Sequence, residues 1–224
     1  MTVKPAFASV VIDVDSTLCG VEGIDFLAAR RGGDVGSRIA ALTDRAMRGE
    51  AMLESVYGER LTIVRPTEAD IAALADEYRE TIAPGAPNAI AAMRAAGVHL
   101  ILISGGVRQA IAPLARALGF TDRDLFAVSL TFDSAGRYVS FDKSSPLATQ
   151  SGKPEVVTRV LAEGRLTRPL LAVGDGATDV PLRGIADTFA AFTGFARRQR
   201  VVENADVELA SFAELEKVVI GTRS

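Results

Sequence analysis

Val10-Val11-Ile12-Asp13-Val14-Asp15-Ser16-Thr17-Leu18 decides how the rest of the chain is read. Three β-branched apolar residues predict a buried strand, and the run turns polar within two residues, so the strand delivers two carboxylates to its own C-terminal end. Side chains alternate along an extended segment, which sends Asp13 and Asp15 off on the same side, with Ser16 and Thr17 turning the chain away behind them. In α/β sheets that end of the strand is where ligands bind.

Outward from this strand the pattern changes twice. Between Gly20 and Ile82 there is only helical spacing: Ile24, Leu27 and Ala28; Ile39, Leu42 and Ala46; Ile71, Leu74, Ala75 and Tyr78. Thr67, followed by Glu68 and Asp70, is the expected N-cap of the last of these helices, and Pro84-Gly85 closes the segment. A helical insertion of this kind is placed to act as a lid over the carboxylates. Beyond it strands and helices alternate. A helix over Pro87 to Ala96 leads to a strand over Val98 to Ile103 ending at Ser104-Gly105-Gly106, and a further helix runs to Leu118, with Pro113 expected to kink it or delay its start. Phe126 to Phe132 and Tyr138 to Phe141 read as a β-hairpin, Lys153-Pro154 opens a helix, and Leu170 to Val173 is a strand ending at Gly174-Asp175-Gly176-Ala177-Thr178-Asp179. A short strand at Thr188 to Phe192 and a helix at Phe212 to Val219 follow. The expected architecture is α/β: a doubly wound parallel sheet forming a core over residues 1–19 and 83–224, with a helical cap over 20–82.

Composition narrows the setting. With 224 residues, 48% hydrophobic, the chain can bury a full core. A net charge of −3 and no run of Lys or Arg exclude a basic field for nucleic acid, and one Cys excludes an internal disulfide framework. No apolar run approaches the ~20 residues that span a bilayer, and Met1 to Ser9 lacks the charged-then-apolar pattern of a signal peptide. A cytoplasmic protein without a membrane partner is expected, as monomer or homodimer.

Three strands thus end in three polar clusters, Asp13/Asp15, Ser104-Gly105-Gly106 and Asp175/Asp179, and a parallel sheet brings all three to one edge. Asp13 with Asp175 offers hard oxygen ligands suited to Mg²⁺. Ser104 and the amides of Gly105 and Gly106 are expected at a helix N-terminus, where phosphate oxygens bind, and Lys153 adds a cation. Carboxylate nucleophile, metal, anion cradle and lysine together describe phosphoryl transfer, in which charge stabilisation carries most of the catalysis.

V-V-I-D-V-D-S-T, the S-G-G turn, the downstream lysine and G-D-G-A-T-D resemble the four motifs of the haloacid dehalogenase superfamily, and the likeness extends from about Ser9 to Val219, helical cap included. The resemblance implies that Asp13 attacks phosphorus to form an aspartyl phosphate and that Asp15 protonates the leaving oxygen and later activates water. It implies Mg²⁺ on Asp13, the main-chain carbonyl of Asp15, and Asp175. Ser104, Gly105 and Lys153 would hold the phosphoryl oxygens, with Gly106 and Thr178 beside them, and Asp179 would orient Lys153. In the cap, Glu22 and Arg60 match the glutamate and arginine that hold a substrate's ammonium and carboxylate, with Met47 in the same pocket. A zwitterionic head group needs one anion and one bidentate cation. The implied activity is therefore hydrolysis of a small phosphomonoester, O-phospho-L-serine, with a sugar phosphate as the alternative.

The chain departs from the family pattern in three places. Arg48 stands where glycine is usual, Leu53 where an aromatic is expected, and Thr178 where asparagine is frequent. His99, between Val98 and Leu100, reads as a satisfied sheet residue and Cys19 as a small packing residue. Two rival classes fit less well: a receiver-type signalling domain carries its acidic pair and its phosphoryl acceptor on different strands, and a dinucleotide-binding protein needs G-x-G-x-x-G after the first strand.

Overall fold

The computed structural model describes residues 5–47 and 53–221. The chain begins with β1 (Ser9–Ile12) and continues through four consecutive helices, α1 (Gly23–Ala29), α2 (Val35–Met47), α3 (Leu53–Val64) and α4 (Glu68–Glu80). Then come α5 (Ala86–Ala95), β2 (His99–Val107), α6 (Arg108–Ala117), β3 (Leu125–Val128), β4 (Leu130–Phe132), β5 (Tyr138–Phe141), α7 (Gly152–Ala162) and β6 (Leu170–Gly174). β7 (Thr188–Phe192), α8 (Gln199–Glu203), β8 (Val207–Leu209) and α9 (Phe212–Ile220) complete the described chain.

The main sheet has the order β3-β2-β1-β6-β7-β8 and every pairing in it is parallel. Val11 of β1 faces Ile101 on one side and Ala172 on the other, so β1 is central, and all four of its residues are buried. A strand covered on both faces wants a continuous apolar run, which is what Val10-Val11-Ile12 and Leu170-Leu171-Ala172-Val173 supply. Strand order reverses between β1 and β6, and a crevice at such a switch point is where open parallel sheets bind ligands. Asp13 and Asp175 flank it.

The described residues between Gly20 and Ile82 contain no named strand, as the spacing predicts, but they hold four helices where the periodicity marks three. The additional one is α3, which buries Tyr57, Leu61 and Val64. Thr67 does cap α4: its hydroxyl accepts the Asp70 amide at 3.2 Å while the Asp70 carboxylate accepts the Thr67 amide at 2.8 Å, a reciprocal capping box. Both ends of this segment return to one place just after β1. The Gly20 amide donates to the Thr81 carbonyl and the Ala83 amide to the Leu18 carbonyl, each at 2.8 Å.

Several expected boundaries move. β2 does not stop at Ser104 but runs on to Val107 through an irregularity after Ile103, so α6 begins at Arg108, beyond the Ser-Gly-Gly turn. Pro113 neither delays that start nor ends the helix, which continues to Ala117. The run Phe126 to Phe132 is not one strand. Leu125–Val128 pairs in parallel with β2, while Leu130–Phe132 leaves to pair antiparallel with β5. The side-chain amide of Gln109 fixes the departure, accepting from the Leu130 amide at 3.1 Å and donating to the Leu130 carbonyl at 2.6 Å. The β4–β5 hairpin leans on the helical segment: the Glu68 amide donates to the Gly136 carbonyl at 2.9 Å, and the Phe141 ring meets Tyr57 edge-on at 5.3 Å. α8 and β8 were not legible in advance. No helix among the described residues is long and apolar enough to cross a membrane.

Candidate active site

β1 hands Asp13 directly to the switch point. The Asp13 amide donates to the Val173 carbonyl at 3.0 Å, extending the β1–β6 pairing by one residue. The chain then turns tightly, with the amides of Thr17 and Cys19 both donating to the Val14 carbonyl and Ser16 in the left-handed region at φ 54°. A non-glycine residue held there marks a backbone that its surroundings over-determine, as at many functional sites. The turn buries Thr17, whose hydroxyl donates to Asp175 at 2.9 Å and ties the loop after β1 to the loop after β6.

One end of the cleft is a chain of buried charges. Lys153, in the first turn of α7, donates from Nζ to Asp13 Oδ1 and to Asp179 Oδ1, each at 2.7 Å. Asp179 is fully buried and also accepts the Gly176 amide at 3.0 Å. Gly174 is obligatory for this packing, because a Cβ there would lie 2.2 Å from the Asp179 carboxyl carbon. Burial and then the Asp179 carboxylate push the Asp13 carboxyl well above its ordinary range, while Lys153 pulls it down. For Lys153, burial works against the charge, but Asp13 and Asp179 outweigh it and hold the ammonium firmly protonated. The stable result is two aspartates sharing one cation.

Asp15 sits differently, at the open side of the same loop. Its Oδ2 accepts the Gly23 amide at 2.9 Å and its Oδ1 accepts the Tyr78 hydroxyl at 2.7 Å. Burial, and then the Glu22 carboxylate, push its carboxyl up to about 6, against the two hydrogen bonds. A carboxyl tuned toward neutrality can both give and take a proton near pH 7.

At the other end, Glu22 occupies the N-cap position of α1 without capping it. Its Oε1 instead accepts the Ser16 hydroxyl at 2.7 Å and pairs with the Arg198 guanidinium at 3.1 Å. Arg60, buried on α3, stands beside the Tyr57 ring, 5.8 Å from guanidinium carbon to ring centroid. Tyr57 in turn donates from its hydroxyl to the Gly105 carbonyl at 2.8 Å, joining the helical segment to the irregular C-terminal end of β2.

One cleft brings together Asp13, Asp15, Glu22, Arg60, Ser104, Gly105, Gly106, Lys153, Asp175, Thr178 and Asp179. The side chains of Met47 and Leu53, and all of Arg48, lie outside the described residues. The anion cradle needs one correction. The Gly106 amide does not open a helix; it donates to the Ser104 hydroxyl oxygen at 2.8 Å, because the chain stays extended to Val107. His99 lies at the opposite end of β2, 3.5 Å from Asp124, and Cys19 is buried with its thiol donating to the Tyr78 carbonyl at 3.2 Å, so neither belongs to the cleft. Sequence reasoning missed Arg198, Tyr57, Tyr78 and Gln150. Arg198 sits in the stretch Arg197-Arg198-Gln199-Arg200, whose pattern gives no sign of which arginine turns inward. Arg197 turns outward and pairs with Glu208 through two bonds of 2.9 and 3.0 Å, while Arg198 pairs with Asp175 and Glu22.

The donor set fits a small divalent cation. Asp13, Asp175 and Asp179 each offer a buried carboxylate oxygen, all within 4.8 Å of one another. Asp175 Oδ2 is buried and receives no hydrogen bond of ordinary geometry, with the Arg198 guanidinium set against it as counter-charge. Hard, anionic, donor-free oxygens are what Mg²⁺ takes from protein.

A parallel sheet with catalytic-type carboxylates at its switch point and a helical insertion directly after the first of them defines a class, and comparison with known proteins agrees. The family model of haloacid dehalogenase-like hydrolases matches residues 10–183, and the chain belongs to this family. It is 36% identical over 92% of its length to the chloroplastic phosphoserine phosphatase of Arabidopsis thaliana, covering 70% of that protein. It is 34% identical to the phosphoserine phosphatase of Homo sapiens, over 92% of this chain and 91% of that one. Among solved structures, a phosphoserine phosphohydrolase-like protein from Francisella tularensis superposes with a TM-score of 0.82 at 24% identity, covering 94% of this chain and 98% of that one, and shares its fold.

Proposed function

We propose that the protein is a Mg²⁺-dependent phosphatase that hydrolyses O-phospho-L-serine to L-serine and phosphate, in L-serine biosynthesis. The observation that carries this reading is that Glu22 and Arg60, one charge of each sign, line the same cleft as the Asp13/Asp15 pair. Relatives named phosphoserine phosphatase at 34–36% identity support it.

In the proposed reaction the Asp13 carboxylate attacks phosphorus and the bond to the seryl oxygen breaks, with Asp15 delivering its proton to that oxygen. Water then attacks the phosphoryl group on Asp13, Asp15 takes its proton, and phosphate leaves with Asp13 restored. Lys153 neutralises the phosphoryl oxygens from its place between Asp13 and Asp179, and Asp179 keeps it there. Ser104, Gly105, Gly106 and Thr178 border the same space. Asp13, the Asp15 carbonyl and Asp175 would hold Mg²⁺, which when bound supplies the charge that offsets the phosphoryl group and the buried carboxylates. At the head group Glu22 grips the ammonium and Arg60 the carboxylate, with Met47 assigned to the same pocket. Residues 20–82 serve as a cap over a core made of 1–19 and 83–224. A cytoplasmic setting and a monomeric or homodimeric state complete the proposal.

Phosphate release from a panel of phosphomonoesters with Mg²⁺ tests it. Phosphoserine should exceed phosphoethanolamine and phosphoglycolate, each of which lacks one of the two head-group charges, and excess chelator should abolish release. A preference for a sugar phosphate would move the protein to another substrate class of the same family.

A further inference from the structure

The proposed reaction uses Asp15 twice, once as acid and once as base, and both of its oxygens are held from the helical segment. The Gly23 amide binds Oδ2, and the Tyr78 hydroxyl, reaching from α4 across 63 residues of sequence, binds Oδ1. The Tyr78 ring is fully buried, and a phenylalanine would fill that space without a polar atom needing a partner. The chain instead keeps the hydroxyl and makes room for it with two glycines. A Cβ on Gly23 would stand 2.6 Å from the Tyr78 oxygen, and one on Gly106 would stand 3.1 Å from both that oxygen and Asp15 Oδ1.

A carboxyl tethered through one oxygen can still pivot about that bond, whereas a donor on each oxygen fixes the plane of the group. Each carboxyl oxygen has two lone-pair positions, so Tyr78 and Gly23 take one apiece and leave the others facing the cleft for the travelling proton. We infer that Tyr78 is a positioning residue for the proposed reaction: its hydroxyl orients the Asp15 carboxyl for proton exchange with the leaving oxygen and with the attacking water. The inference rests on the assignment of Asp13 and Asp15 made above and adds to it a cap residue that never touches the substrate.

The test is Tyr78→Phe, assayed on phosphoserine and on p-nitrophenyl phosphate. The seryl oxygen must be protonated as it departs, whereas p-nitrophenolate leaves without a proton, and kcat/KM reports steps only as far as the phosphorylated enzyme. The variant should lose roughly ten- to hundred-fold in kcat/KM on phosphoserine and stay within about two-fold on the aryl ester. In an Asp15→Asn background the Tyr78→Phe loss should vanish, since a residue acting through Asp15 has nothing left to position. Equal losses on both substrates, no loss on phosphoserine, or a loss that persists beside Asp15→Asn would overturn the inference. The double-variant comparison cancels any general effect on folding. Should the wild type hydrolyse some other alkyl phosphate but not phosphoserine, the substrate reading fails, and Tyr78 stands or falls on the same alkyl-to-aryl ratio. A wild type inert toward every phosphomonoester sinks both.

Discussion

The two ends of the cleft are held by different means. At the end proposed to hold phosphate, Asp13, Lys153 and Asp179 are at most 5% exposed and neutralise one another, so their geometry is locked before any ligand arrives. At the head-group end, Glu22 is partly exposed and spends its charge on Ser16 and Arg198, partners from its own loop and from the far end of the chain. The contrast follows from what each end must do. Chemistry needs a fixed constellation, paid for by burying charges that satisfy one another. Recognition needs charges that can exchange a protein partner for a ligand.

The largest effect that would break this contrast is at Asp13. Asp13→Asn removes the proposed nucleophile and should lower kcat on phosphoserine by roughly a thousand-fold or more, measured as phosphate release, with the fold retained. Lys153→Ala should fail differently. It leaves two buried carboxylates facing each other without a cation, so a loss of about 3–5 kcal/mol in unfolding free energy should accompany the loss of turnover, read by denaturant titration. Were Lys153→Ala as stable as the wild type, the phosphate end would not be the locked unit described here.

The head-group end should respond in specificity before stability. Glu22→Gln and Arg60→Lys should each lower kcat/KM on phosphoserine by roughly ten- to thousand-fold while leaving p-nitrophenyl phosphate hydrolysis nearly intact. Equal losses on both substrates would make these residues part of the cap's structure and erase the distinction between the two ends.

The smallest effect lies in the helical segment after β1. Burial works against the Asp70 charge, but the Thr67 amide and hydroxyl and the Arg31 guanidinium hold its carboxyl down at about 2. An acid with a depressed folded value contributes stability that is present above its ordinary pKa of about 4 and is lost as pH falls through the folded value. Thr67→Ala should cost about 0.5–2 kcal/mol near neutral pH, and the difference from wild type should shrink between pH about 4 and about 2. A difference independent of pH over that window would argue against the capping box as its source.

What could be read from sequence follows how local each feature is. Asp13 and Asp15, the turn after β2 and the run from Asp175 to Asp179 are legible because a buried parallel strand must be continuously apolar and then stop, which exposes the residues at its end to view. Thr67 is legible because capping is decided within four residues. The break at Ser129 is not, since one extended run changes partners there through a side chain, Gln109, twenty-one residues before Leu130. Arg198 could not be told from Arg197, because which of two adjacent arginines turns inward depends on Glu22, 176 positions earlier. Tyr78 reads as core by its spacing, and it is core, while Tyr57 lies on the helix that the periodicity does not mark; that each hydroxyl also reaches the backbone or a carboxylate of the cleft is a property of the packed molecule alone. The position of Gly106 shows the same limit, since a one-turn delay in the start of α6 redirects its amide from the expected anion to Ser104.

The most direct test of the central claim is to trap the phosphorylated enzyme. The protein is mixed with Mg²⁺ and phosphoserine carrying a radioactive phosphoryl group, quenched in acid within a turnover, and digested for peptide mapping. Label on the peptide carrying Asp13 in the wild type, and absent from Asp13→Asn, is the result this account predicts. Phosphate release from phosphoserine with no labelled protein at any time, or label on a peptide lacking Asp13, would contradict it.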